Sequence, residues 1–203
     1  MWETGANAGW HTLVFDDKFF SRLKEIDEEI ARRVAAAGCP RCGGPLHRSD
    51  YDRKPRGGLL AEAGATCVRR LSLCCGREGC RQRATPPSVR FLGRRFYLGA
   101  VVVVASALAL RLRRASAVWA ATEIPARTLK RWARWWRVEL PSTSFFIALQ
   151  GLLVPPVDPA RLPCSLVERL GGGAAEQVTA ALRLLAPVTT GSVVDGARFV
   201  RAS

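Results

Sequence analysis

Five cysteines in the first half of the chain have the spacing of a metal-binding site. Two lie in the segment Cys39-Pro-Arg-Cys42-Gly-Gly, and three lie in Cys74-Cys75-Gly-Arg-Glu-Gly-Cys80. Two close pairs of thiolates, separated by a segment able to form a small antiparallel sheet, are what a closed tetrahedral zinc site requires. We therefore predict one structural Zn²⁺ bound by Cys39, Cys42, Cys75 and Cys80, with no coordination position left for water.

Two adjacent cysteines, Cys74 and Cys75, are both candidates for the fourth zinc ligand. Neighbouring residues of a strand point to opposite faces, so only one of the two can face the metal; we favour Cys75, and Cys74 is the alternative. His47 is a further candidate ligand, although an ordinary surface or strand histidine is the simpler interpretation. Cys67 and Cys164 have no partner at a useful spacing and are expected to be small buried thiols.

Two glycines beside these cysteines are expected to allow hydrogen bonds from backbone amides to the sulfur atoms. Gly43 and Gly79 can adopt backbone conformations that turn amide N–H groups toward the sulfur atoms. Such hydrogen bonds offset the negative charge that four thiolates place on one metal. Because zinc binding contributes folding free energy, a loop-rich segment with few apolar residues can hold a unique shape.

The charge of the chain is concentrated in its middle. The 203 residues have a net charge of +14, and residues 39–140 alone hold 21 basic and six acidic side chains. A polyanionic partner is therefore expected, with nucleic acid first and an anionic membrane surface second. The longest apolar run, Phe96 to Leu110, is 15 residues long and is short of the roughly 18 to 20 that cross a bilayer. We read it as a buried helix or a strand–helix junction and expect no membrane partner.

A basic amphipathic helix is predicted from Ala126 to Arg137, after a break at Thr122-Glu123-Ile124-Pro125. Pro125 suits the first helical turn, where its missing N–H has no cost. Leu129, Trp132, Ala133 and Trp136 recur at helical spacing and form the expected inward stripe. The opposite face is the candidate DNA-binding surface, and a short helix from Ala115 to Ala121 precedes the break as in a helix-turn-helix. Its cations are Arg127, Lys130, Arg131, Arg134 and Arg137.

The fold expected from these patterns is mainly α-helical with a small β zinc ribbon. Four segments are predicted: an N-terminal amphipathic helix within residues 1–38, a zinc ribbon over 39–92, a helix-turn-helix-like basic region over 93–140, and a Pro-rich connection with C-terminal helices over 141–203. The first helix begins at Asp16 or Asp17 and stops at Gly38. The last segment is expected to hold helices near Ser165–Leu170 and over Ala174–Leu185.

The paired cysteine segments together with the later Arg127-Thr-Leu-Lys-Arg-Trp132 resemble the N-terminal zinc-ribbon and helix-turn-helix region of bacterial insertion-sequence transposases. The resemblance covers roughly residues 39 to 137 and implies that the four cysteines bind zinc and that Arg127, Lys130 and Arg131 face DNA. The chain departs from the family pattern at Glu123, where a glycine is usual, and at Pro125, where a small hydroxyl residue is usual. The catalytic part of the family is missing, because 63 residues with four acids follow Leu140.

The sequence therefore favours a non-enzymatic, zinc-dependent protein that binds double-stranded DNA. By the resemblance it would be an accessory or regulatory relative of transposases, and its expected protein partner is a separate transposase subunit or another protein. No nucleophile–base pair is apparent. The number of cysteines is odd, their spacing is metal-like, and no leader-like segment lies near Met1, so we expect a reducing cytoplasm. Within it, DNA binding would place the protein at the nucleoid. The alternative is a zinc-ribbon module that binds a protein or RNA.

Overall fold

The computed structural model describes residues 15–53, 68–92, 97–112, 120 and 122–193, and within them the chain is mainly helical with two small antiparallel sheets. These residues belong to two compact units. The first contains residues 15–100 and 182–203, and the second contains residues 1–14 and 101–181. This division places the N-terminal helix, the cysteine region and residues 182–193 in one unit.

Helix α1 (Asp17–Ala37) begins and ends where the sequence predicts. The Asp16 carboxylate caps it by accepting a 2.8 Å hydrogen bond from the Phe19 amide, and Gly38 ends it with φ of 78°. This left-handed conformation favours glycine. The helix buries an apolar stripe at three- and four-residue steps, which consists of Phe19, Phe20, Leu23, Ile30, Ala31 and Val34.

Five short strands follow α1 in the first unit. Strands β1 (Leu46–Arg48), β4 (Leu73–Cys75) and β5 (Arg83–Ala84) form a three-stranded sheet in the order β1-β4-β5, and β2 (Tyr51–Asp52) pairs with β3 (Arg69–Arg70). In the β1–β4 register Leu46 lies opposite Cys75 and His47 lies opposite Cys74. These strands are too short for a large core, so the region depends on cross-links and on packing against α1.

A buried ion pair joins α1 to the segment that comes after β5. Asp27, in the middle of the helix, accepts hydrogen bonds from Arg90 Nε at 2.8 Å, from the Ser88 hydroxyl at 2.6 Å and from the Val89 amide at 2.7 Å. Both charged side chains are 1% exposed or less. The sequence does not single out Asp27 as a core residue.

Residues 189–192 are attached to the same segment by their hydroxyl groups. Thr189 Oγ1 accepts a 2.9 Å hydrogen bond from the Ser88 amide, and Ser192 Oγ accepts one of 2.8 Å from the Thr85 amide. The Thr190 hydroxyl donates to the Thr85 carbonyl at 2.6 Å. Residues about 100 positions apart in the sequence therefore share one hydrogen-bond network within the first unit.

The second unit is helical, and the first and last of its helices begin or end a few residues outside residues 101–181. Helix α2 (Gly99–Leu112) is buried from Ala100 to Ala107, which agrees with the predicted buried helix. Helix α3 (Ala126–Arg134) continues into a π-helical turn over Trp135–Glu139. Then come α4 (Ser144–Leu152), a 3₁₀ turn over Pro159–Arg161, α5 (Cys164–Val167) and α6 (Ala174–Leu185), which leads into a 3₁₀ turn over Ala186–Thr189.

Two of the C-terminal predictions have different outcomes. Helix α6 has the predicted bounds, Ala174–Leu185, whereas α5 is a single turn that ends at Val167 and does not reach Leu170. Among the helices described in this chain, none combines the length and the hydrophobicity that a bilayer span needs.

Removal of the buried carboxylate tests the role of the α1 contact. We expect Asp27→Ala to lower the free energy of unfolding of the zinc-loaded protein by about 3 to 5 kcal/mol, because the buried guanidinium of Arg90 loses the carboxylate that accepts its Nε–H. Urea denaturation followed by circular dichroism measures this change. Glu29→Ala is the matched control, because Glu29 pairs with Arg32 and Arg33 on the same helix but is exposed; the expected loss is below about 1 kcal/mol. Equal losses in the two variants would contradict this account.

Candidate metal centre and basic helix

Two loops bring four cysteines together in the first unit. The first loop comes after α1, where the Cys39 amide donates to the Gly44 carbonyl and the Gly43 amide donates to the Cys39 carbonyl, both at 2.8 Å. The second loop joins β4 to β5 and is closed by a 3.2 Å hydrogen bond from the Cys80 amide to the Arg77 carbonyl. Arg77 Nη1 also donates to the Cys42 carbonyl at 3.2 Å, so the two loops touch at their tips.

The sulfur atoms of Cys39, Cys42, Cys75 and Cys80 all lie within 4.8 Å of one another. The two shortest separations are 3.8 Å, between Cys39 and Cys80, and 3.5 Å, between Cys42 and Cys75. Disulfides need about 2.0 Å, and these cysteines are free thiols. Sulfurs bound tetrahedrally at about 2.3 Å from zinc are about 3.8 Å apart. The arrangement is therefore compatible with a four-sulfur metal site.

Backbone amides surround the sulfurs in a regular way. The Arg77 amide donates to Cys75 Sγ at 3.4 Å, the Arg41 amide donates to Cys39, and the Gln82 amide donates to Cys80. In each case the donor lies two residues after the cysteine. The sequence did not single out these three residues, although their spacing from each cysteine is a signal that could have found them.

The glycines around the cysteines are favoured for two different reasons, backbone conformation and space. Gly43 and Gly79 have φ values of 69° and 78°, which favour glycine, but the Gly43 amide donates to the Cys39 carbonyl and not to a sulfur. Gly44 is constrained by space instead: a Cβ there would lie 3.3 Å from the sulfurs of both Cys42 and Cys75. A larger residue at this position would push the two loops apart.

The ionisation of the thiols depends on these neighbours. Burial raises the pKa of Cys39, but the amides of Arg41 and Cys42 and the adjacent thiols outweigh it and lower the pKa to about 7. At Cys75 the Arg77 amide lowers the pKa, whereas burial and the three neighbouring thiols together raise it to about 12. Repulsion between neighbouring thiolates therefore opposes deprotonation of all four cysteines when no metal is bound. A bound cation would offset that repulsion and favour the thiolate forms.

Cys74, Cys164 and His47 do not belong to the cluster. Cys74 Sγ is directed to the Arg81 carbonyl at 3.5 Å, as the alternation of side chains along β4 requires. His47 lies opposite Cys74 in the sheet, and its ring covers Gly76, where a Cβ would come within 2.5 Å of Nε2. Cys164 is buried in the second unit, and Cys67 lies outside the described residues. The geometry thus selects Cys75 over Cys74.

Helix α3 has the predicted amphipathic arrangement. Leu129, Trp132 and Trp136 are buried, and Ala133 is half-buried. All five candidate DNA-binding cations are exposed: Arg127, Lys130, Arg131, Arg134 and Arg137. Among the described residues, one carboxylate forms an ion pair with this set, since Arg134 Nε lies 3.4 Å from Glu139.

The turn before α3 is described only in part. The predicted short helix from Ala115 to Ala121 lies outside the described residues except for Ala120. Glu123 has φ of 55°, a conformation that favours glycine, and Pro125 precedes the helix as its N-cap residue. The π-helical turn after Arg134 was not predicted; it is closed by a 2.8 Å hydrogen bond from the Leu140 amide to the Trp135 carbonyl.

No protein family, curated protein or solved structure matches this chain in comparisons of its sequence and structure with known proteins.

Adjacent cysteines provide a matched test of the metal centre. We expect the wild-type chain and Cys74→Ser to retain one zinc ion each, and Cys75→Ser to lose it or bind it at least ten-fold more weakly, because only the Cys75 sulfur faces the cluster. Native mass spectrometry with a competing chelator measures the bound metal. Zinc retention in Cys75→Ser, or its loss in Cys74→Ser, would contradict the assignment.

Proposed function

We propose that this chain is a non-enzymatic protein that binds double-stranded DNA and whose cysteine ribbon is stabilised by one structural zinc ion. The observation that carries the proposal is the exposed cation face of α3, which we call the basic face: Arg127, Lys130, Arg131, Arg134 and Arg137. Cations spaced along one side of a helix match the phosphates that border the major groove, and arginine also fits guanine edges.

Zinc is the metal that best fits the four-sulfur set. Soft thiolates favour zinc or iron over hard cations such as Mg²⁺, and the sulfur separations suit a tetrahedral shell. Four protein ligands complete that shell and leave no position for an activated water. The metal would therefore support the fold of the ribbon and would not take part in hydrolysis.

The burial of Trp132 and Trp136, the inward tryptophans of α3 and its π-helical turn, favours duplex DNA over single-stranded RNA. Sequence-specific RNA recognition commonly stacks unpaired bases on exposed aromatic rings. Trp132 and Trp136 are buried, and Trp135 is half-buried with its ring 4.6 Å from that of Trp136. The basic face therefore offers cations rather than stacking surfaces, which suits contact with phosphates and groove edges.

The resemblance to insertion-sequence transposases supports the same proposal. The resemblance rests on the paired cysteine loops and on the helix that contains Thr128-Leu129-Lys130-Arg131-Trp132. In that family such regions bind the terminal DNA of the element. We propose an accessory or regulatory role beside a separate transposase subunit, in the cytoplasm at the nucleoid. The alternative is an interaction module in which the ribbon binds a protein partner and the basic face is incidental.

The salt dependence of binding tests whether phosphates are the main contact. Each neutralised phosphate contributes a slope of roughly −0.9 to a plot of log affinity against log salt concentration. Five cations therefore predict a slope of about −4.5 for a short duplex measured by fluorescence anisotropy between about 50 and 200 mM salt. A slope shallower than about −2 would count against the proposal.

Charge reversal separates the two candidate functions. We expect Arg127→Glu/Arg131→Glu to weaken duplex binding by at least 100-fold, because two attractive contacts become repulsive. Lys18→Glu/Arg22→Glu is the control, since it makes the same change in net charge at exposed cations of α1, which belongs to the first unit. Equal weakening in both double variants would indicate a non-specific effect of charge. Unchanged duplex binding, with capture of a protein partner intact, would favour the interaction module.

A further inference from the structure

The four clustered sulfur atoms form two close pairs, and each pair joins the first loop to the second. Cys39 of the first loop lies 3.8 Å from Cys80 of the second. Cys42 of the first loop lies 3.5 Å from Cys75 of the second. Because a disulfide bond is about 2.0 Å long, the sulfurs of a pair need to approach by about 1.5 to 1.8 Å. Small shifts of the two loops would therefore allow both pairs to be oxidised.

The two sulfurs of each pair differ in exposure. Cys42 and Cys80 are half-buried. Cys39 is 4% exposed and Cys75 is 0% exposed. A small oxidant that comes from solvent therefore reaches the half-buried cysteine of each pair first. The pair partner of that cysteine is a buried sulfur that belongs to the other loop, so an oxidised sulfur faces a second sulfur that can react with it.

We propose that hydrogen peroxide converts the metal centre into two disulfides that cross between the loops, Cys39–Cys80 and Cys42–Cys75. In each pair the half-buried thiolate attacks the peroxide, so an S–O bond forms, the O–O bond breaks and one water leaves after protonation. The buried sulfur then attacks this sulfenic acid, the S–S bond forms, and a second water leaves. Two peroxides and four protons are consumed, four thiolates are oxidised, and the zinc ion is released.

Disulfides between the two loops replace the restraint that zinc supplies. The paired cysteines are 41 and 33 residues apart in the sequence, and a disulfide that closes a long loop restricts the unfolded chain. A disulfide within either loop would leave the two loops unconnected. We therefore expect the first unit to keep its fold when oxidation removes zinc, and to loosen when a chelator removes zinc from the reduced chain. The inference rests on the zinc site of the proposed function and not on DNA binding.

Cys74 takes no part in these disulfides, although it is adjacent to Cys75. Its Sγ is directed to the Arg81 carbonyl at 3.5 Å, on the face of β4 opposite to that of Cys75. Substitution of Cys74 therefore removes a nearby thiol and leaves both pairs complete.

Peptide mapping of the oxidised full chain by mass spectrometry tests the inference. The zinc-loaded wild type is treated with hydrogen peroxide, the remaining thiols are alkylated, and released zinc is measured with a colorimetric chelator. We expect one zinc ion per chain to be released, with peptides cross-linked through Cys39–Cys80 and Cys42–Cys75. Disulfides within the loops, or sulfinic acids in place of disulfides, would overturn the proposal. A chain that holds no zinc before oxidation would contradict the metal centre and this inference together.

The adjacent cysteines provide matched variants for the pairing. We expect Cys74→Ser to form both disulfides, and Cys75→Ser to form Cys39–Cys80 alone, because Cys42 has lost its partner. Loss of either disulfide in Cys74→Ser would refute the pairing.

Thermal unfolding followed by circular dichroism tests whether the disulfides preserve the fold. The midpoint for the oxidised wild type is expected to lie at least about 5 °C above that of the metal-free reduced chain. An oxidised chain that is no more stable than the metal-free reduced chain would show that the disulfides do not replace the zinc restraint, and would overturn the proposal.

Discussion

The convergence of four sulfur atoms from two separate loops is the constraint on which the first unit depends. The loops are 33 or more residues apart in the sequence and carry short strands with little apolar surface. Hydrophobic burial by strands of two or three residues cannot fix their register. A metal ion shared by both loops would supply that restraint, and the left-handed glycines and the N–H···S hydrogen bonds are the local geometry that such a shared ion needs.

The ribbon is also held from outside by α1 and by residues 189–192. Asp27 binds Arg90 and the residues around it, while Arg48 of β1 pairs with Glu28 of α1 at 2.7 Å. The hydrogen bond from Arg48 lowers the pKa of Glu28, so this contact contributes stability near neutral pH and loses it as the pH falls below about 4.5. The surface pair adds little, whereas the buried pair determines where the helix sits.

The features that could be predicted from the sequence are those that depend on residues close together in the chain. Alternation along a strand separated Cys75 from Cys74, capping residues placed the ends of α1, and helical spacing placed Trp132 and Trp136 inward. Non-local features were beyond such patterns. The burial of Asp27 depends on Arg90, which is 63 positions away, and the hydroxyl network of Thr189 and Ser192 depends on Thr85 and Ser88. The π-helical turn after Arg134 has no distinct sequence signal, so Glu139 was not recognised as a partner of Arg134.

The central claim concerns the atoms around the metal, and X-ray absorption at the zinc edge observes them most directly. The account predicts that zinc bound to the full chain has four sulfur neighbours at about 2.3 Å and no nitrogen or oxygen neighbour. A first shell that contains an imidazole nitrogen or a water oxygen, or that holds fewer than four sulfurs, would contradict it.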